Sequence, residues 1–157
     1  MPISEKDLFD ARTAWGNGLI EISKTFETEG IEMATSVASD MIDNLYGFNF
    51  GKVLFKPTLS GGSQTFRPTK EGALSYYTGQ NSSYPNDVGF GVMFWREFNS
   101  NTSAIFIDDT VAMWMGSFTL IDRDGRVTKV EKSYGYKLDD YGNLRIVLHH
   151  SSLPYSP

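Results

Sequence analysis

Two hydrophobic periods, and the order in which they come, constrain this chain more than anything else in it. Helical spacing fills the first third, and strand-like runs fill most of the rest. Leu8, Ala11, Trp15, Leu19, Ile22 and Phe26 recur at three and four residues, which marks one apolar helix face. Ser4 followed by Asp7 predicts a capping box at the start of that helix, and Gly30 predicts its end. Ile31, Ala34, Val37, Met41 and Leu45 make a second such face, with Gly47 as its stop. Thr69 predicts the cap of a short third helix reaching Tyr77. Strand patterns cover 53–55, 89–98, 103–107, 110–121, 127–138 and 144–151. Asp122-Arg123-Asp124-Gly125 and Asp139-Asp140-Tyr141-Gly142-Asn143 read as hairpin turns, because Asp, Asn and Gly tolerate positive φ. Helices first and a long meander last predict an α+β fold. N-terminal helices pack on one face of a strongly bent antiparallel sheet, a cone enclosing a pocket.

At 157 residues the chain is expected to form one domain over 1–157, burying about two-thirds of its unfolded surface. A net charge of -5 with scattered Lys and Arg argues against nucleic acid and against an anionic membrane surface. No cysteine is present, which excludes disulfides, thiolate metal sites and thiol nucleophiles. The start of the chain lacks the pattern of a secretory signal, and no apolar run is long enough to span a membrane, so a cytoplasmic location is expected. Strand 110–121 carries Trp114, Phe118 and Leu120 on one side and Val111, Met113 and Met115 on the other. A monomer would leave one of these apolar faces in water, so a homodimer through the outer face is expected.

The chemistry is expected at the C-terminus, where an apolar strand runs into His149-His150-Ser151-Ser152. Side chains alternate along a strand, so His149 and Ser151 share one face while His150 and Ser152 share the other. Adjacent strand histidines point apart and no third histidine or cysteine exists, which makes a metal site here a poor fit. Gly61-Gly62-Ser63 lacks the lysine of a phosphate loop. A serine triad finds no elbow spacing. Asp108-Asp109 could supply a base in a pocket, but its position between two strand runs favours a solvated turn. Hydroxyl groups remain: Thr58, Tyr76 or Tyr77, Ser151 and Ser152 lie on elements that can converge. Singly, each also reads as an ordinary loop, core or strand-end residue.

The segment 143–157 around His149-His150-Ser151-Ser152-Leu153-Pro154, with Val130-Glu131-Lys132-Ser133-Tyr134-Gly135-Tyr136 before it, resembles the iota-class carbonic anhydrases. That family belongs to the cone-shaped superfamily of nuclear transport factor 2 (NTF2-like) and the kinase association domain. The resemblance implies reversible hydration of CO2 to bicarbonate and a proton, in a homodimer. Manganese serves some members, but the metal-free type is implied here, with no cofactor. It further implies that Thr58, Tyr76 and Ser151 hold water and bicarbonate, with Tyr77 as a rival for the tyrosine role. His149 or His150 would pass the proton, and Ser152 would assist. Where the family often shows a third histidine this chain has Leu148, which weakens a histidine–metal site further. Two rivals differ in class. One is an isomerase or cyclase using an Asp base. The other is a non-catalytic assembly module, for which a pocket packed shut by Phe, Tyr and Met would be the sign.

Overall fold

The helical third forms as its spacing predicts. In the computed structural model, which describes residues 2–157, Ser4 Oγ accepts the Asp7 N–H at 3.2 Å and the Asp7 carboxylate accepts the Ser4 N–H at 2.9 Å. This reciprocal pair opens α1 (Glu5–Glu29) and satisfies donors that the first turn leaves free. Gly30, at φ +92°, closes α1 and opens α2 (Ile31–Leu45), so the helices join without a loop. Leu8, Trp15, Leu19 and Ile22 form the buried stripe of α1. Helix α2 ends one residue earlier than Gly47 suggests, capped by Tyr46. Thr69 caps α3 (Lys70–Thr78), its hydroxyl accepting the Gly72 N–H.

Five strands make one sheet: β1 (Leu54–Lys56), β2 (Trp95–Ile107), β3 (Val111–Asp122), β4 (Val127–Leu138) and β5 (Leu144–Ser152), in the order β1-β5-β4-β3-β2. The sheet is mixed, which corrects the all-antiparallel expectation: β1 runs parallel to β5, and the other pairs are antiparallel. Register slips at Thr102/Ala104 and Gly135/Tyr136 bend the strands around the helices, and the sheet stays open. The inner face carries Trp114, Phe118, Leu120, Tyr134 and Tyr136, all buried.

Two strand expectations are corrected. Segment 89–98 begins with a 3₁₀ turn, Phe90–Val92, and extends only from Trp95. Side-chain bonds to α1 override the local pattern: Ser23 Oγ donates to the Gly91 carbonyl at 2.6 Å and accepts the Trp95 N–H at 2.9 Å. The polar stretch Asn99–Thr102, read as a break, lies inside β2 because it pairs with Thr119, Phe118, Ser117 and Gly116.

Phe118 is fully buried, edge-on to Trp15 at 5.3 Å and to Trp114 at 5.8 Å. Phe118→Ala is expected to cost about 3–5 kcal/mol in urea unfolding, through lost contacts and the cavity left behind.

Candidate active site

Strand alternation on β5 buries His149 and Ser151, each 1% exposed, and turns His150 and Ser152 to the other face. The parallel register of β1 sets Phe55 against His149 and Lys56 against His150. Phe55 stacks on the imidazole at 4.7 Å. Two residues beyond β1, the Thr58 hydroxyl meets the Ser151 hydroxyl at 2.6 Å. From α3, Tyr76 places its OH next in line, accepting the Leu59 N–H at 3.1 Å.

Helix α3 is itself clamped. Arg67 donates to both carboxylate oxygens of Asp87, at 2.8 and 2.7 Å, and Ser75 Oγ donates to the same carboxylate at 2.6 Å. The side chains of Arg67 and Asp87 are 3% and 5% exposed. Burial alone would raise the Asp87 carboxyl, but the bonds from Arg67 and Ser75 outweigh it and hold the group below its ordinary value.

A buried polar chain runs behind the hydroxyls. Trp15 Nε1–H donates to Tyr77 OH at 3.0 Å, and the Tyr77 and Tyr46 hydroxyls share a 2.6 Å hydrogen bond. Tyr46 OH lies 2.9 Å from His149 Nδ1, and His149 Nε2 lies 2.8 Å from Lys132 Nζ. Lys132 Nζ also reaches Ser151 Oγ at 3.2 Å and sits over the Trp15 ring at 4.3 Å. Lys56 Nζ donates to the Ser151 carbonyl at 2.8 Å. Lys132 enters no ion pair among the described residues. N–H and O–H donors from Lys56, Lys132 and the hydroxyls therefore converge on this corner, which suits a ligand rich in oxygen acceptors.

Burial shifts each titratable group toward its neutral form. It pushes the Tyr77 phenol up to about 12 and Tyr76 higher still. Both stay protonated, so each keeps an O–H able to donate. Burial first, then the charge of Lys56, holds the Lys132 amine well below its ordinary value. Burial, Lys132 and His150, in that order, lower His149 well below the usual imidazole range.

Thr58, Tyr76, Tyr77 and His149 line one cavity, together with Trp15, Phe55, Pro57, Phe90 and Lys132, and Ser151 stands behind it bonded to Thr58. Its volume is about 10 Å³, on the scale of one water molecule. That tightness by itself suits the non-catalytic rival, although no methionine lines the space. His150 and Ser152, offered by the sequence as site residues, lie instead along the outer sheet face with Met115 and Glu131. Asp108 and Asp109 form an exposed turn, away from the cavity. Both ring nitrogens of His149 are engaged, and no group of three or more His, Asp or Glu is placed to share a metal among the described residues.

Sequence reasoning passed over Lys132 and Tyr46. The signal for Lys132 was its place between Val130 and Tyr134 on the inward alternation of β4. Tyr46 carried none, because it sits at a helix end.

Comparison with known proteins decides between a closed module and an enzyme family. A family model described as metal-independent carbonic anhydrase matches residues 6–153. The chain belongs to the metal-independent carbonic anhydrase family. A metal-independent carbonic anhydrase from Nostoc sp. (strain PCC 7120) is 43% identical over 153 residues, covering 98% of this chain and 75% of that protein. A crystal structure of a cyanobacterial iota-carbonic anhydrase complexed with bicarbonate is similar at TM-score 0.98 and 42% identity, covering 99% of this chain and 95% of that one. More distantly, a calcium/calmodulin-dependent protein kinase II association domain from Xanthomonas campestris shares the fold, at TM-score 0.58 and 20% identity, covering 96% of this chain and 85% of that one.

Asp87→Asn leaves Arg67 buried and uncompensated, and is expected to cost about 3–5 kcal/mol in urea unfolding. For His149 the expected result is spectroscopic: its ring signals stay fixed between about pH 6 and 8 in NMR. Its lowered value also ties stability to pH. The unfolded chain binds this proton below about pH 6.5 and the native state does not, so stability declines as pH falls below that value.

Proposed function

We propose that the Thr58–Tyr76–Ser151 cluster catalyses the reversible hydration of CO2 to bicarbonate and a proton, without a metal. The observation that carries this reading is the Thr58–Ser151 hydroxyl pair, 2.6 Å apart beside an aromatic-walled cavity, in a chain of the metal-independent family. CO2 is small and apolar, which suits aromatic walls, while bicarbonate offers oxygens to hydroxyl donors. Thr58 and Ser151 orient the water, which lowers the entropic part of the barrier. Tyr76, held as a phenol, donates to the oxygen on which charge develops. Lys56, whose Nζ donates to the Ser151 carbonyl, favours that negative charge. The lining must part slightly to admit a three-atom substrate, since the packing leaves room for one water.

The active form in this reading is a cytoplasmic homodimer. Met113, Met115 and Phe106 are 44%, 55% and 59% exposed on β2 and β3, an apolar patch that a second copy would cover.

Stopped-flow CO2 hydration tests the assignment. Thr58→Ala, Tyr76→Phe and Ser151→Ala are each expected to lower kcat by about 10²–10³-fold with the circular dichroism spectrum unchanged. Added chelator is expected to change nothing. Full activity in all three variants would remove the hydroxyl cluster from the reaction. An inactive wild type would favour the non-catalytic module that the tight cavity also suits.

A further inference from the structure

Water attacking CO2 must lose a proton, and the hydroxyl cluster contains no group able to keep it. Tyr76 and Tyr77 are held protonated by burial. Thr58 and Ser151 can relay a proton but cannot store one. No carboxylate lines the cavity among the described residues.

We propose that Lys132 is the proton acceptor of this site: its Nζ, in the cavity wall 3.2 Å from Ser151 Oγ and 2.8 Å from His149 Nε2, takes the proton that the attacking water releases. This inference rests on the CO2-hydration reading and supplies the base which that reading lacks. An acceptor amine must be neutral at rest, and the surroundings favour that form. Lys132 is 4% exposed, has no ion-pair partner among the described residues, and lies near a second cation, Lys56. The titratable or charged groups around it are His149 and His150 on β5, Lys56 on β1, Tyr76 and Tyr77 on α3, Tyr46 after α2, Tyr134 on its own strand, and Arg12 one turn from Trp15 on α1. None of them is a carboxylate.

The hydrogen-bonded chain behind Lys132 fits both states of the amine with one arrangement of protons. If His149 carries its proton on Nδ1 and donates it to Tyr46, then Nε2 accepts an N–H from Lys132. That bond persists whether Nζ is amine or ammonium. The neutral lone pair is then free to face the Ser151 hydroxyl, and proton transfer needs no rearrangement of His149 or Tyr46. In the transfer, the O–H bond of water breaks as its oxygen forms a bond to carbon. One C=O electron pair of CO2 moves to oxygen, and the proton reaches Nζ across Ser151. Water, CO2 and the amine thus become bicarbonate and the ammonium, with net charge unchanged. The two product ions attract each other in a low-dielectric site, and the ammonium yields its proton to buffer when bicarbonate leaves.

Stopped-flow kinetics on Lys132→Met and Lys132→Ala, with ¹⁵N NMR of the wild-type lysine, tests this. Met keeps the apolar stem over Trp15 and removes only the basic nitrogen. Both variants are expected to lose about 10²-fold or more in kcat and to lose the limb of the pH–rate profile that follows the amine. Added methylamine or ethylamine is expected to restore activity to Lys132→Ala in proportion to its concentration. The wild-type Nζ signal, which needs no variant to fold, is expected to be that of a neutral amine across the active pH range. An ammonium signal throughout that range would overturn the proposal, as would wild-type kinetics in Lys132→Met or a loss that no amine restores. An active wild type with an indifferent Lys132→Met would sink the proton acceptor alone, whereas a wild type that hydrates no CO2 would sink the functional reading and this inference with it.

Discussion

One connected set of polar groups sealed inside aromatic packing organises the interior of this protein, while the buried hydroxyls of Tyr134 and Tyr136 lie outside it without a partner among the described residues. Trp15, Tyr77, Tyr46, His149, Lys132, Ser151 and Thr58 come from both main layers of the fold, yet they form one connected set of hydrogen bonds. An unpartnered polar atom at such depth costs several times what a satisfied one gains. Each member is therefore held in place by its neighbours. The aromatic rings around them keep water out, and the same exclusion shifts every titratable group toward neutrality.

The shortest strand has a large share in this. Three residues of β1, paired parallel to β5, stack Phe55 on His149 and deliver Thr58 to Ser151. An antiparallel pairing would have carried the chain the other way and left Ser151 without its hydroxyl partner. The buried clamp of Arg67, Asp87 and Ser75 then fixes α3, which brings the two tyrosines. The reactive corner is thus assembled from a strand end, a loop and a helix, each braced independently.

Much of the frame was legible in the chain. The capping box at Ser4, the stop at Gly30 and the N-cap at Thr69 are local, because each depends on groups three or four residues apart. The alternation of β3, β4 and β5 was legible for the same reason. The segment before Trp95 was not, since Ser23 in a distant helix reshapes it. Thr58, Tyr76 and Ser151 emerged as candidates mainly through family resemblance, because isolated hydroxyl residues carry no spacing signature. Lys132 was hidden because a lysine in a strand ordinarily faces solvent.

What the amino-acid order determined by itself was the set of elements and the face on which each side chain falls. Those follow from backbone geometry over a few residues, as the separation of His149 and Ser151 from His150 and Ser152 illustrates. Tertiary structure alone decided which inward residues meet. The parallel placement of β1, the depth at which Lys132 loses its hydration and the joining of Tyr46 to His149 all arise from contacts between residues far apart in the chain. No local period encodes such contacts, because their energy exists only after the helices close over the sheet.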